Sequence, residues 1–325
     1  MKTLYPLFFL TIIAAFIIGF YYSSWSSKNP GGSTTSTTSQ QTIPLSENSS
    51  ISKLAFLEYV DEGIALYLVG QDGKNLRKIL PTKGEKITQA AISTDGRKLL
   101  VIIEENGEKN LYTINPFKTD ERAKIYSNYS FEQNPSLSSD NKKLTVISFS
   151  NADPNYGFSL KIKNLSEETE KIIYTNTSGI LYPHWLTNNE LVFVQEQDNQ
   201  TQLLKIDISS RQTTPLLTLT GETVTALSTC DKTIVLAKMI KGTRMARTLE
   251  IYTLKEGEEP KKITSDQRAQ NYPVCRQSGE ILSFVLANYP SGNVSLQHKG
   301  DIMIWIKGET QRVGLGNHPL GFVSQ

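Results

Sequence analysis

Histidine and cysteine, two residue types that often bind metal ions or act in catalysis, are few in this chain. The three histidines, His184, His298 and His318, show none of the short spacings that metal ligands take. The chain also has no Gly-x-Ser-x-Gly sequence, which would carry the nucleophile of an α/β-hydrolase. We therefore expect a protein that is not an enzyme and that holds no cofactor or metal.

A turn followed by an apolar strand recurs along the chain and organises it. The clearest copy is Ser-Thr-Asp-Gly-Arg-Lys-Leu-Leu-Val at 93–101, whose Asp-Gly pair suits a tight hairpin. The first apolar residues after the turns are Leu54, Leu99, Leu144, Leu191, Ile234 and Ile281. They lie 43 to 47 residues apart, a period typical of the four-stranded blade of a β-propeller. Six blades are therefore predicted over residues 51–325.

The two ends of this region complement each other. The first blade lacks an obvious first strand before Leu54, whereas 317–323 (Asn-His-Pro-Leu-Gly-Phe-Val) resembles the opening of later repeats, such as 182–185 and 272–275. The last strand is therefore predicted to enter the first blade. Closing the ring in this way removes free sheet edges that would otherwise promote aggregation.

The repeat resembles the WD40-like (PD40) unit of six-bladed TolB-like propellers, whose pattern is Tyr-Pro-x-Trp-Ser-Pro-Asp-Gly-Lys-x-Leu-x-Phe. The best match is 182–185 (Tyr-Pro-His-Trp) followed by 191–193 (Leu-Val-Phe), and 93–99 fits the second half. The resemblance covers residues 51–325. It implies an all-β, six-bladed propeller closed by the C-terminal strand.

Two kinds of enzyme also contain propellers of this type. Prolyl-oligopeptidase-like peptidases add a hydrolase domain with the Gly-x-Ser-x-Gly sequence, which is missing here. Lyases resembling oligogalacturonate lyase gather several histidines around a metal near the central channel. His184 and His318 could face that channel from blades four and one, but two histidines make a poor metal site. A channel-site carbohydrate-active or metal-dependent enzyme remains the alternative function.

The two cysteines, Cys230 and Cys275, are too few for a disulfide framework. Cys230 falls in a predicted turn, and Cys275 falls in a predicted strand where the related repeat has Trp185. A disulfide requires Cα atoms within about 7 Å, which adjacent blades rarely offer at positions that are not equivalent. We therefore expect an exposed thiol at Cys230 and a packed core thiol at Cys275.

The N-terminal segment is predicted to be a transmembrane helix or signal anchor over residues 1–22. Its residues 4–22 are almost wholly apolar and uncharged, and they are long enough to cross a bilayer. A cleaved signal peptide is the alternative, because Lys2 precedes the run and Ser-Trp-Ser at 24–26 could be a weak cleavage site.

Residues 23–50 are rich in Ser and Thr and are predicted to be a flexible linker. A short N-terminal tail ahead of a single span usually stays in the cytoplasm, which would place the propeller on the extracytoplasmic side, in the periplasm or at the cell surface.

Partner binding is predicted on one face of the propeller. The connections from second to third strand, and from each blade to the next, leave by the same face, and the long ones are expected at 127–134, 150–157, 175–181, 238–248, 265–271 and 287–300. They carry aromatic and basic residues, which are typical of protein-binding surfaces. The candidate partner-binding residues are Tyr129, Phe131, Tyr156, Lys238, Lys241, Arg244, Arg247, Arg268 and Tyr289.

Charge gives no reason to expect nucleic acid, because 34 Lys and Arg face 32 Asp and Glu. The sequence thus predicts a membrane-anchored, extracytoplasmic propeller that binds or scaffolds a protein partner. A structural spacer without a specific ligand is a third possibility.

Overall fold

The computed structural model describes residues 53–61, 63–81, 85–127, 132–149, 157–197, 200–240, 249–264, 270–276, 280–286 and 299–323. The chain divides into two units, Met1–Asn48 and Ser49–Gln325, and the described residues all belong to the second. The predicted helix over residues 1–22 and the linker over 23–50 lie outside the described residues. Within these ranges, no helix combines the length and the apolar character that crossing a membrane requires.

The described residues form six antiparallel sheets of four strands each, as expected for six blades. In order from the innermost strand, blade 1 contains β24 (His318–Val323), β1 (Lys53–Val60), β2 (Gly63–Gly70) and β3 (Arg77–Leu80). Blade 2 contains β4 (Lys86–Ile92), β5 (Leu99–Glu105), β6 (Glu108–Asn115) and β7 (Lys118–Tyr126). Blade 3 contains β8 (Glu132–Leu137), β9 (Lys143–Phe149), β10 (Phe158–Asn164) and β11 (Thr169–Asn176).

The other three blades follow the same order. Blade 4 contains β12 (Gly179–Trp185), β13 (Glu190–Gln197), β14 (Gln200–Asp207) and β15 (Thr213–Thr220). Blade 5 contains β16 (Glu222–Cys230), β17 (Thr233–Ile240), β18 (Glu250–Leu254) and β19 (Lys261–Lys262). Blade 6 contains β20 (Gln270–Arg276), β21 (Ile281–Leu286), β22 (Gly300–Ile306) and β23 (Glu309–Gly316). The six innermost strands contact one another in a complete ring around the propeller axis.

The predicted closure of the ring is confirmed. Strand β24 pairs antiparallel with β1, so that Val323 lies opposite Lys53 and His318 lies opposite Leu57. The Asn317 amide N–H donates to the carbonyl oxygen of Leu57 at 2.9 Å. The last strand of the chain therefore completes the first blade through backbone hydrogen bonds.

The hydrophobic core lies between the blades. Each of six clusters of buried side chains combines residues of two adjacent blades, and together they cover every junction. Between blades 3 and 4, for example, Trp185 packs in one cluster with Leu160 and Ile162. A single blade cannot bury its own apolar faces, so its stability depends on both neighbours.

We call the end of the propeller with the connections from first to second and from third to fourth strand the turn face. Hydrogen bonds link neighbouring blades near this face. The Thr94 hydroxyl of blade 2 donates to the Leu137 carbonyl oxygen of blade 3 at 2.9 Å. The Trp185 indole N–H of blade 4 donates to the Ser136 carbonyl oxygen of blade 3 at 3.0 Å. The Trp185 carbonyl oxygen in turn accepts from the Thr229 hydroxyl of blade 5 at 2.7 Å.

The expectation of two unpaired cysteines is wrong. Cys230 and Cys275 form a disulfide with their Cα atoms 5.6 Å apart. The reason is the length of the blade 5 hairpin: β16 continues to Cys230, which pairs with Thr233, and the chain turns only at 231–232. Cys230 is therefore a buried strand residue next to the first strand of blade 6, and neither cysteine is a free thiol.

Candidate functional site

The end of the propeller opposite the turn face, which we call the loop face, carries the longest connections between strands. These are 150–157, 241–249, 263–269 and 287–299, each longer than any connection on the turn face. The expected asymmetry between the two faces is therefore present, mainly in blades 5 and 6. Three of its details are wrong. The connection predicted at 127–134 is shorter than expected, because β8 begins at Glu132. The connection at 175–181 is short, because β11 ends at Asn176 and β12 begins at Gly179, and Lys238 lies in strand β17.

Lys238 is the one predicted partner-binding residue that the structure describes. Its side chain pairs with the Glu222 carboxylate at 3.0 Å and lies over the Tyr252 ring, 4.5 Å from the ring centroid. Only 16% of that side chain is exposed, so its charge is directed within blade 5. The others, Tyr129, Phe131, Tyr156, Lys241, Arg244, Arg247, Arg268 and Tyr289, lie outside the described residues.

The innermost strands share an irregularity near their middle. Four of them contain a residue followed by proline, at Asn134, Tyr182, Tyr272 and His318. The sheet register shifts at this level in β8, β12 and β20, and the residue before proline has a φ of 50° to 52° there. Positive φ is uncommon for residues other than glycine, and such bulges redirect side chains. The pattern places a polar or aromatic residue at a matching level of four innermost strands.

Two of these side chains, Tyr272 and His318, meet Tyr59 of β1 where blades 6 and 1 join. The Tyr272 ring stacks on the His318 ring, with centroids 3.6 Å apart, and the Tyr59 ring meets His318 edge-on. The Tyr59 hydroxyl oxygen lies 3.4 Å from His318 Nε2, and the Tyr59 amide N–H donates to Asn317 Oδ1 at 2.8 Å. Tyr182, at the matching position of blade 4, packs instead against the hydrophobic cluster between blades 4 and 5. We call Tyr59, Tyr272 and His318 the junction cluster.

Burial favours the uncharged forms of the junction cluster and of His184 and Tyr182, and it raises the pKa of Tyr59. Burial lowers the pKa of His318 to about 3 and that of His184 to about 4. Burial, aided by Glu196, raises the pKa of Tyr182 to about 12, and burial also raises that of Tyr272. His184, His318, Tyr182 and Tyr272 nevertheless keep some solvent-exposed surface. Each is therefore mostly surrounded by protein, a setting that disfavours its charged form.

The sequence interpretation named His184 and His318 but not the tyrosines. The recurrence of a residue-proline pair at matching repeat positions, Tyr182 and Tyr272 with His318, was present in the sequence and could have identified them. Tyr59 carries no such pattern, because it belongs to the second strand of blade 1.

The chemistry of these side chains bears on whether they could hold a metal ion. Among the side chains that the structure describes, no group of three or more His, Cys, Asp or Glu could hold a metal ion. His318 is packed between two tyrosine rings, and its Nε2 lies 3.4 Å from the Tyr59 hydroxyl oxygen. The donor set thus fits stacking and neutral hydrogen bonding better than Lewis-acid chemistry.

The two histidines predict how stability depends on pH. In the folded chain both pKa values lie below the ordinary value near 6.5. Below that pH the unfolded chain therefore binds more protons than the folded chain, which favours unfolding. Stability should therefore be complete above about pH 6.5 and fall toward pH 4, by at most about 1.4 kcal/mol per pH unit for each histidine. We expect the variant H184Q/H318Q to show a clearly shallower fall between pH 6.5 and 4.5 in urea unfolding. Each single variant should remove about half of the difference, and equal slopes for wild type and double variant would contradict the assignment.

Comparisons with known proteins bear on the fold. No protein-family model and no curated protein matches the sequence. Among solved structures, TolB from Acinetobacter baumannii superposes with a TM-score of 0.63 at 14% identity, over 84% of this chain and 66% of that one, just under two thirds. A putative TolB from Agrobacterium tumefaciens gives 0.60 at 14% identity, over 84% and 91%. An oligogalacturonate lyase in complex with manganese gives 0.55 at 17% identity, over 81% and 74%. At these identities the likeness shows the fold, a TolB-like six-bladed propeller, and leaves the function open.

Proposed function

We propose, on the premise that the chain has the fold of TolB-like six-bladed propellers, that it is a binding or scaffolding module for a protein partner and not an enzyme. In this proposal residues 1–22 anchor the chain in a membrane, residues 23–50 form the tether, and the propeller lies on the extracytoplasmic side. The loop face is the binding surface, and the partner is a protein.

The observation that carries the proposal is the contrast between the two faces. The turn face has short connections whose residues are held by hydrogen bonds from blade to blade, such as Asn141 Nδ2 to Asp95 Oδ2 at 2.8 Å. The loop face instead carries the four longest connections, three of them at blades 5 and 6. Long loops on a rigid scaffold are a usual location of binding residues. The basic residues of these segments, Arg244, Arg247 and Arg268, belong to a residue type that is enriched at binding hot spots.

The competing function is a channel-site enzyme, which the likeness to a manganese-bound lyase brings into consideration. The binding proposal requires that the purified full chain neither retain manganese nor bind it saturably, and that it not cleave polyuronates. Retained metal that is lost in H184Q/H318Q, or turnover of such a substrate, would favour the enzyme.

The binding surface can be tested by photo-cross-linking in the source cells. A photoreactive amino acid is placed in the full chain at position 244, 247 or 268 on the loop face. Matched probes replace Arg97, Lys142 or Lys232, which are exposed on the turn face. We expect one shared protein adduct from the loop-face positions and none from the turn-face positions.

Charge reversal gives a second, quantitative measurement. The variant R244E/R247E/R268E should lose capture of that adduct protein by at least about tenfold, because hot-spot arginines each contribute a kcal/mol or more. Its melting temperature should stay within about 2 °C of wild type, as expected of surface substitutions. The matched variant R97E/K142E/K232E makes the same change of charge on the turn face and should capture normally. Unaltered capture by the first variant, or equal losses in both, would discard the loop face as the binding surface.

A further inference from the structure

The disulfide Cys230–Cys275 joins the innermost strands of blades 5 and 6. Cys230 is the last residue of β16 and Cys275 lies near the end of β20, and the two are 45 residues apart, one repeat of the propeller. The covalent bond therefore connects corresponding strands of adjacent blades near the turn face. Cys230 is 8% exposed and belongs to the hydrophobic cluster of this junction, and Cys275 packs against the same cluster with part of its surface exposed.

The disulfide occupies a level at which other junctions use hydrogen bonds. Blades 2 and 3 are linked there by Thr94 and Leu137, blades 3 and 4 by Trp185 and Ser136, and blades 4 and 5 by Thr229 and Trp185. Between blades 5 and 6 the covalent bond takes this place. The disulfide thus links two adjacent blades at the level where hydrogen bonds of hydroxyl, indole and carbonyl groups link the other pairs named above.

The junction between blades 5 and 6 has less apolar packing to rely on than some others. In the part of the chain that the structure describes, its cluster contains five buried hydrophobic side chains besides Cys230, namely Val235, Ile251, Leu282, Phe284 and Leu286. The cluster between blades 1 and 2 contains fourteen buried residues. Blade 5 also has short outer strands, since β18 has five residues and β19 has two. The disulfide stabilises the fold mainly by restricting the unfolded chain, and here it adds to a described cluster about as small as the one between blades 2 and 3.

We propose that Cys230–Cys275 is a redox-dependent cross-link that stabilises the junction between blades 5 and 6. The chain acquires it in an oxidising compartment, where the two thiols give two electrons and two protons to a donor disulfide that leaves as a dithiol. Reduction reverses the step and loosens this junction while the hydrogen-bonded junctions stay closed. Blades 5 and 6 also bear the connections 241–249, 263–269 and 287–299, so this cross-link joins the innermost strands of the two blades that carry them.

The redox state in the source cells is the first test. Cells are lysed in N-ethylmaleimide, which blocks free thiols, and the full chain is digested without reduction and analysed by mass spectrometry. We expect the peptides containing Cys230 and Cys275 to appear linked and unalkylated. Recovery of both peptides as maleimide adducts would overturn the proposal.

The second test locates the effect of reduction. Dithiothreitol transfers two electrons and two protons to the disulfide and closes to its cyclic form. Hydrogen exchange of the folded full chain is measured by mass spectrometry before and after this treatment. We expect amides of β16 and β20 to exchange at least about tenfold faster after reduction, and those of β4 and β8 to be unchanged, because local opening follows local stability. The melting temperature should fall by roughly 5–10 °C.

Two variants control this experiment. C230S/C275S should behave like the reduced wild type and should not respond to dithiothreitol. T94V removes the hydroxyl link between blades 2 and 3, so it should accelerate exchange in β4 and β8 with and without reductant. Equal acceleration in all blades on reduction, or none in β16 and β20, would overturn the proposal.

Discussion

Deletion of residues 317–325 is expected to abolish the cooperative folding of the propeller. Strand β24 supplies the innermost strand of blade 1, and its Phe322 and Val323 are buried at 7% and 1% exposure. Its loss leaves β1 as an unpaired apolar edge at the centre of the ring, where Leu54 and Phe56 are almost fully buried in the intact chain. The cost should equal or exceed the whole stability of a typical domain, about 5–15 kcal/mol.

The measurement is calorimetric unfolding together with size-exclusion chromatography. The truncated chain should show no cooperative transition and should associate, whereas deletion of 324–325 alone leaves β24 intact and should unfold like wild type. A cooperative, monomeric product after removal of 317–325 would contradict the closure of the ring by this strand.

A point variant tests the same closure without deleting the strand. Gly321 has a φ of 151°, and a Cβ there would lie 2.6 Å from Ile92 Cγ2 of blade 2. G321A should therefore destabilise the fold by about 2–4 kcal/mol through overpacking and backbone strain. Gly107 has a φ of 82° but no atom within 4 Å of such a Cβ, so G107A carries strain alone and should cost about 1 kcal/mol. Equal costs for the two variants would show that Gly321 is not confined by blade 2.

Replacement of Trp185 is the second change with a large expected effect. Trp185 is 1% exposed and joins three blades: it packs against blade 3, its indole N–H donates to Ser136 of the same blade, and its carbonyl oxygen accepts from Thr229 of blade 5. W185A removes the largest buried side chain of this junction and should cost about 3–5 kcal/mol.

The variant W185F separates packing from hydrogen bonding. It keeps an aromatic ring but leaves the Ser136 carbonyl oxygen without its indole donor, which should cost about 1–3 kcal/mol. Both values come from urea unfolding followed by far-UV circular dichroism, since removal of one of three tryptophans alters fluorescence. If W185A lowers the free energy of unfolding by less than about 1.5 kcal/mol, or by no more than W185F does, Trp185 does not hold blades 3 to 5 together as described.

Much of the fold could be predicted because its determinants are local. The turn at 93–98 and the apolar run that follows it repeat with one period, and each copy forms its hairpin from neighbouring residues. The closing strand could be predicted for the same reason, because residues 317–323 resemble the first strand of a repeat and blade 1 lacks such a strand before Leu54. The candidate site was harder to predict from the sequence, because one extra residue in a strand or turn changes which side chains face which neighbouring blade.

The sequence by itself determined the number of blades, their order and the closure of the ring, because strand and turn preferences act over a few residues and recur in every repeat. Only the tertiary structure decided which residues of different blades meet. The two-residue turn after Cys230 brings it to Cys275, and the bulge at Tyr272 lets its ring stack on His318. Such contacts depend on small shifts of strand register that differ from blade to blade. The repeat pattern shows only what the blades have in common, so these shifts are determined when the blades pack together.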